Sequence, residues 1–352
     1  MPLMTAALSQ SPAPLIARSR LDALLDGARG RRVAIVGDAM LDVYLRGDVD
    51  RISPEAPVPV VRVRSRTLAL GGAANVAQNV AAAGASCALV AAVGADDLAG
   101  RTLCDELARI QGDSDSLVRV ARPTTTKTRV LARAQQVVRF DEEDDADLSG
   151  EDVERVLVAV SAAVSRADAL VLEDYNKGVL VPSVIEGAIR VARSRGIPII
   201  VDPKYRNFFS YRGATVFKPN RRELEAAMGA AVDLEHPEAL PVTFERLGVE
   251  HLLLTLGERG MALIAADGVV RRIPTTARDV YDVVGAGDTV TAYLATSLAA
   301  GASAYEAAVV ANYAAGVEVG KAGVSTVSPE EVLAVHEERF DQIGRLRRGG
   351  LI

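Results

Sequence analysis

Six short, nearly uninterrupted apolar runs punctuate the chain: Val33–Val36, Ala88–Gly94, Ala169–Leu172, Ile197–Val201, Ala214–Phe217 and Leu252–Leu256. No other pattern in it narrows the fold so far. A strand with one wet face alternates apolar and polar residues, whereas a strand apolar at every position is covered on both faces, as in a parallel sheet. Segments of helical length separate the runs, among them 72–84, 98–110, 151–165 and 181–195. Alternation of strand and helix builds βαβ units. The pattern predicts an α/β fold, a doubly wound, mostly parallel sheet with helices on both faces, over residues 31–330. A leader with a short amphipathic helix (1–30) precedes it, and a C-terminal helix and tail (331–352) follow.

Two segments break the pattern. Val58–Arg64 and Thr124–Phe140 alternate apolar with polar or charged residues, which predicts strands with one wet face outside the main sheet. Stretches of about 44–66 and 124–140 are therefore expected to form a small β lid. The acidic run Asp141–Asp145 follows, read as a solvated loop before a helix with Ser149 and Asp152 in capping-box positions.

Composition excludes several classes of function. A net charge of −6 on 352 residues argues against nucleic-acid binding driven by the field of the whole molecule. Two cysteines, Cys87 and Cys104, make no disulfide framework or zinc pattern, and the three histidines are scattered. The start carries no secretory pattern, and charges interrupt every hydrophobic stretch within 18 residues, so no membrane span and a cytoplasmic location are expected.

The sharpest local signal is Asp282-Val283-Val284-Gly285-Ala286-Gly287-Asp288-Thr289, running into a helical pattern. Glycines at the mouth of a helix let backbone N–H groups approach an anion, and the helix dipole adds positive potential there. A carboxylate beside such a pocket would repel a phosphoryl group, so Asp288 is a candidate to accept a proton from an attacking hydroxyl. The competing role is structural, a charge at a helix start with glycines for close packing, and the segment alone does not separate the two. Two other glycine patterns fail. Gly285-Ala286-Gly287 lacks the third glycine of a dinucleotide fingerprint, and Gly316–Ala322 is one residue short of a P-loop and has Ala322 where Ser or Thr would hold Mg²⁺.

Gly285–Asp288 resembles the G-A-G-D signature of the ribokinase-like (PfkB) sugar kinases, and the resemblance runs from about Arg31 to about Thr326. Leu70–Asn75 is similar to that family's glycine-rich sugar-binding segment, Lys218–Glu223 to its N-x-x-E motif, and Thr255–Gly260 to its nucleotide-binding turn. Within the family, Gly37–Asp42, Arg51–Val60 and Asp174–Gly178 resemble the branch that phosphorylates D-glycero-D-manno-heptose 7-phosphate at C1, on the route to the ADP-heptose of lipopolysaccharide. Members of that branch are often fused to an adenylyltransferase domain; a chain ending at Ile352 is expected to be the stand-alone kinase. One departure is Val284, where relatives often carry Thr.

The resemblance implies ATP and Mg²⁺ as cofactors, Asp288 as base, and the N–H groups of Gly285, Ala286 and Gly287 as the anion pocket. A polyol needs convergent carboxylates and amides, and a 7-phosphate needs fixed cations. Asp38, Asp42, Gly71, Gly72 and Asn75 are the sugar-side candidates. Lys127, Arg129, Arg139, Lys177 and Lys204 are the candidate phosphate holders, Lys177 foremost; a solvated surface charge is the competing role for each. The resemblance assigns Asn220, Glu223, Thr255, Gly257, Gly260 and, more weakly, Asn312 to the nucleotide, with Glu223 holding Mg²⁺ through water. It also implies a homodimer built through the β lid. Alternatives are a kinase of this fold acting on fructose, ribose or a nucleoside, and a non-catalytic nucleotide or sugar sensor.

Overall fold

The computed structural model describes residues 16–348 apart from 134, 237–239 and 278–279. Residues 1–15 of the expected leader and 349–352 of the expected tail lie outside them. In chain order the strands are β1 (Arg32–Gly37), β2 (Ala39–Ile52), β3 (Pro59–Gly72), β4 (Ser86–Val90), β5 (Ala92–Gly94), β6 (Val118–Val120), β7 (Thr126–Ala132), β8 (Gln135–Glu142), β9 (Ala169–Glu173), β10 (Ile199–Asp202), β11 (Val216–Phe217), β12 (His251–Thr255), β13 (Met261–Ala265) and β14 (Val270–Ile273). The helices are α1 (Arg18–Ala28), α2 (Ala73–Ala82), α3 (Leu98–Arg109), α4 (Gly150–Val164), α5 (Pro182–Ser194), α6 (Arg221–Met228), α7 (Leu240–Leu247), α8 (Ala286–Ala299), α9 (Ala304–Glu318) and α10 (Pro329–Arg348).

The main sheet has eight strands in the order β14-β13-β12-β11-β10-β9-β1-β4. From β4 to β12 every pairing is parallel; β13 and β14 add an antiparallel edge. The apolar runs are buried on both faces because successive side chains of a strand point to opposite sides. Val33 and Ile35 enter one core with α1, α2, α3, α8, α9 and α10, while Ala34 and Val36 enter the other with α4, α5, α6 and α7. This is the expected doubly wound architecture. Among the described residues no helix is long and apolar enough to cross a membrane.

A second sheet, β3-β2-β7-β8, stands apart from the first. It begins earlier than the alternating segments indicate, since only Asp38 separates β1 from β2 and β3 runs on to Gly72. The apolar first turns of β2 disguise it as core: Ala39–Val43 are buried, and the strand becomes exposed only farther out. Ile52, Val63, Val138 and Phe140 on this sheet, and Val58 in the loop between β2 and β3, are exposed. Ser149 is the N-cap of α4 but its side chain makes no capping hydrogen bond, so the capping box expected there is absent. Capping boxes occur instead at Asn220/Glu223 and Ser303/Glu306.

Candidate active site

The polar residues that end β1, β9, β10, β11 and β12 gather at the carboxyl edge of the parallel sheet, where open α/β sheets bind ligands. Asp288 lies there in the first turn of α8 and is 5% exposed. Its two oxygens are held from opposite sides. Asn75 Nδ2 donates to Oδ2 at 2.7 Å, and the Tyr175 hydroxyl donates to Oδ1 at 2.7 Å. A buried polar chain fixes Asn75 in turn: Thr289 donates to Asn79, and Asn79 donates to Asn75 Oδ1 at 3.2 Å. Burial raises the Asp288 carboxyl to about 6, and the hydrogen bonds from Asn75 and Tyr175 oppose that rise. The result is a fixed carboxylate closer to neutral pH than a solvated Asp.

The glycines before it are required by space as well as by backbone angle. Gly285 has φ +94°, and a Cβ there would lie 3.2 Å from both Asn75 Nδ2 and Glu318 Oε1. Gly72 has φ +56°, and a Cβ there would strike the Asp38 carbonyl and crowd Met40 and Tyr175. The two turns therefore bring backbone against Asn75 and Tyr175, the residues that hold the base, without side chains in between.

A pocket opens in front of Asp288. Its lining includes Asp42, Gly71, Gly72, Asn75, Lys127, Arg129, Tyr175, Val284 and Gly285, which brings four of the sugar-side candidates and two of the candidate phosphate holders to one place. Arg129 is ion-paired with Asp42, both mostly buried. Lys127 forms no salt bridge among the described residues; its ammonium lies 5.8 Å from the Tyr175 ring centre. Burial lowers the Lys127 pKa, and Asp42 only partly offsets this.

Four candidates have other contacts. Asp38 is 1% exposed and accepts backbone N–H bonds from Tyr175, Lys177 and Val179, so it shapes the 174–179 turn and does not line the pocket. Lys177 is paired with Glu143 at 2.6 Å, and Arg139 makes a two-pronged contact with Asp141 on the exposed sheet. Lys204 reaches Glu223 at 2.6 Å and lies 5.4 Å from the Tyr175 ring centre. The acidic run is thus partly engaged, with Asp145 also bonded to Arg206.

On the nucleotide side, Asn220 caps α6. Its Oδ1 accepts from the Glu223 N–H at 2.9 Å while Glu223 Oε2 accepts from the Asn220 N–H at 2.8 Å. The N-x-x-E motif is physically a capping box, which satisfies two helix-start donors. Asn220 also bridges to Thr255 at the end of β12. Gly257 and Gly260 have positive φ in the following turn, and a Cβ on Gly260 would strike the Ile273 carbonyl. Asn312 is 3% exposed and donates to the Pro274 carbonyl at 3.0 Å, tying α9 to the segment ahead of the glycine loop.

Several residues matter here that the linear pattern does not single out. Tyr175 is the second holder of the base. Lys218, 3% exposed, donates to Asp202 Oδ2 at 2.7 Å, and both lie just under 4 Å from where a Gly287 Cβ would be. Glu173 is fully buried, with neither carboxylate oxygen hydrogen-bonded among the described residues. Burial pushes its carboxyl well above the usual range, reinforced by Asp202 and Asp288. Each lies in or beside a segment whose apolar or motif character hid it: Glu173 ends a buried strand, and Lys218 precedes the Pro219-Asn220 pair. Hard carboxylate oxygens in a buried group of this kind fit Mg²⁺, and the unpartnered oxygens of Glu173 are the sign of it.

The sequence profile described as "pfkB family carbohydrate kinase" matches residues 31–331. The chain is 46% identical over 315 residues to the "Bifunctional protein HldE" of Rhodospirillum rubrum, covering 87% of this chain and 62% of that protein. It is 44% identical over 319 residues to the protein of the same name from Pelobacter propionicus, covering 90% and 65%. The chain thus spans less than two thirds of the length of these relatives. In three dimensions it is similar to Arabidopsis thaliana ribokinase complexed with ribose and ATP, with TM-score 0.66 and 22% identity over 87% of this chain and 98% of that one. It is also similar to phosphofructokinase-2 from Escherichia coli in complex with substrates and products, with TM-score 0.71 and 19% identity over 88% and 99%.

Proposed function

Because the chain belongs to the pfkB family of carbohydrate kinases, we propose that it transfers the γ-phosphoryl group of ATP to C1 of D-glycero-D-manno-heptose 7-phosphate. It is a sugar kinase of the ribokinase fold that uses ATP with Mg²⁺. The heptose phosphate, its 1,7-bisphosphate product and the place of that product on the route to ADP-heptose are this reading's own step. The observation that carries it is Lys127: a half-buried ammonium in the pocket of Asp288 without a carboxylate partner. A cation removed from water and left unpaired is costly, and an anionic group on the acceptor would relieve that cost.

In this scheme Asp288 takes the proton of the anomeric hydroxyl as its oxygen bonds to the γ-phosphorus and the bond from that phosphorus to the bridging oxygen breaks, releasing ADP. Asn75 and Tyr175 fix its two oxygens, so little reorganisation accompanies the step. The N–H groups of Gly285, Ala286 and Gly287 face the developing charge at the start of α8. Asp42 and Asn75 meet the sugar hydroxyls, and Lys127, with Arg129 behind it, meets the 7-phosphate. Asn220, Thr255 and Gly257 border the nucleotide path, and Glu223 would hold Mg²⁺ through water. Bound there, Mg²⁺ neutralises phosphate charge. The β2-β3-β7-β8 sheet acts as a lid that excludes water, and the exposed Ile52, Val58, Val63 and Phe140 form the face through which two copies pair. With ATP and a sugar phosphate as substrates, the enzyme works in the cytoplasm.

The test is ADP release with Mg-ATP and heptose 7-phosphate beside unphosphorylated heptose, ribose, fructose and fructose 6-phosphate. Turnover on the heptose phosphate alone is expected, falling about 10²–10⁴-fold in Asp288→Asn. Lys127→Met should raise KM for the phosphorylated acceptor by roughly 10–100-fold, the weight of one charge-assisted hydrogen bond. Equal turnover of unphosphorylated sugars, indifferent to Lys127, overturns the reading.

A further inference from the structure

Glu173 and Asp202 are the last residues of adjacent parallel strands, β9 and β10, and are register partners. Side chains at matched positions of neighbouring strands leave the sheet on the same face. Both carboxylates are therefore directed into the space beside Asp288, and carboxylate oxygens of the three residues lie within 4.8 Å of one another.

We propose that the chain itself holds a divalent cation between Glu173 and Asp202, without nucleotide, next to Asp288. Three observations meet on this point. Glu173 is wholly removed from solvent, and both of its oxygens lack a hydrogen-bond partner among the described residues. A buried carboxylate in that state carries a desolvation cost that the nearby Lys218 and Lys204 only partly offset. A proton would remove the charge but leave its O–H without an acceptor, whereas a cation satisfies charge and lone pairs together. Spacing is the second point. Two oxygens on opposite sides of Mg²⁺ at its usual bond length stand about 4 Å apart, longer than a hydrogen bond and within the spread of this group.

Charge is the third. Glu173, Asp202, Asp288 and Glu223 share two ammonium groups, Lys218 on Asp202 and Lys204 on Glu223. Two negative charges are left over when all four acids are ionised, which is the charge of one divalent cation. Glu223 is not the source of this site, since its Oε1 accepts from Lys204 and its Oε2 from the Asn220 N–H. Lys218 donates to Asp202 Oδ2, and among the described residues it makes no hydrogen bond to Glu173. The site goes beyond the acceptor assignment and does not depend on which sugar is used. With the cation in place, the field at Asp288 and at the adjoining glycine loop is less negative when the nucleotide phosphates arrive.

The experiment is a Mn²⁺ titration of the full chain, free of nucleotide and sugar, followed by electron paramagnetic resonance with Mg²⁺ as competitor. One site is expected, displaced by Mg²⁺. Binding should weaken at least tenfold in Glu173→Gln and in Asp202→Asn, and less in Glu173→Asp, which keeps a charged ligand. Cooperative melting of each variant checks that it is folded, and Glu173→Asp serves if the neutral variants are not. Absence of Mn²⁺ binding to the nucleotide-free chain, or equal affinity in wild type and folded Glu173 variants, overturns the site. Loss of kinase activity on heptose phosphate with Mn²⁺ binding intact would count against the acceptor assignment only.

Discussion

Glu318 ends α9 directly behind the glycine loop; it is fully buried, and neither oxygen has a hydrogen-bond partner among the described residues. Burial pushes its carboxyl from the usual 4.5 up to about 8, helped by Asp282 and Asp288 and opposed by Lys321. Because the folded-state value lies above the unfolded one, this group's contribution to stability is fully present below pH 4.5 and is lost as pH rises through 8. Between those limits the loss is about 1.4 kcal/mol per pH unit. At pH 7 it amounts to roughly 3 kcal/mol, and above pH 8 it levels off near roughly 5 kcal/mol. Glu318→Gln keeps the shape and removes the titration. Urea unfolding of both proteins from pH 5.5 to 8 isolates the effect, since every other ionisable group is common to the two. The stability difference, variant minus wild type, should grow by about 3 kcal/mol over that range in favour of Gln. A difference that stays flat from pH 5.5 to 8 would refute the argument.

Three further outcomes follow from the contacts around Asp288. Tyr175→Phe removes one of its two hydrogen bonds, a charge-assisted one of about 1.5–3 kcal/mol, so kcat should fall roughly 10–100-fold with KM for ATP little changed in steady-state assays. Gly285→Ala places a Cβ 3.2 Å from Asn75 and Glu318 at a left-handed φ; about 1–2 kcal/mol of backbone strain and a displaced Asn75 should lower both the melting temperature and kcat. Asp38→Asn turns an NH₂ toward backbone donors of the 174–179 turn, and calorimetry should register a loss of about 2–4 kcal/mol. Retained wild-type stability in Asp38→Asn would mean that the turn does not depend on that carboxylate.

The layered α/β architecture was readable along the chain because an apolar run covered on both faces carries no polar alternation. Val33–Val36 and Ala169–Leu172 therefore announced buried parallel strands. Gly285–Asp288 was legible for a related reason: a positive-φ glycine and a carboxylate at a helix start are local requirements, met by residues close together in sequence. Strand β2 was only partly legible, since its outer part falls in the stretch expected to form the lid while its buried beginning at Ala39–Val43 reads as core. The pairing of cations was not legible at all. Lys127 and Lys177 look alike in sequence, yet one faces the pocket and the other is tied to Glu143, 34 residues away. Likewise Asp38 and Asp42 are near neighbours, and only Asp42 lines the pocket. The sequence by itself determined the alternating elements, the cores they bury and the turn that carries the base. Only the tertiary structure decided which buried charges have partners. Partnership depends on chain segments far apart in sequence: Asn75 and Tyr175 on Asp288, Lys218 on Asp202, and no hydrogen-bond partner among the described residues for Glu173 or Glu318.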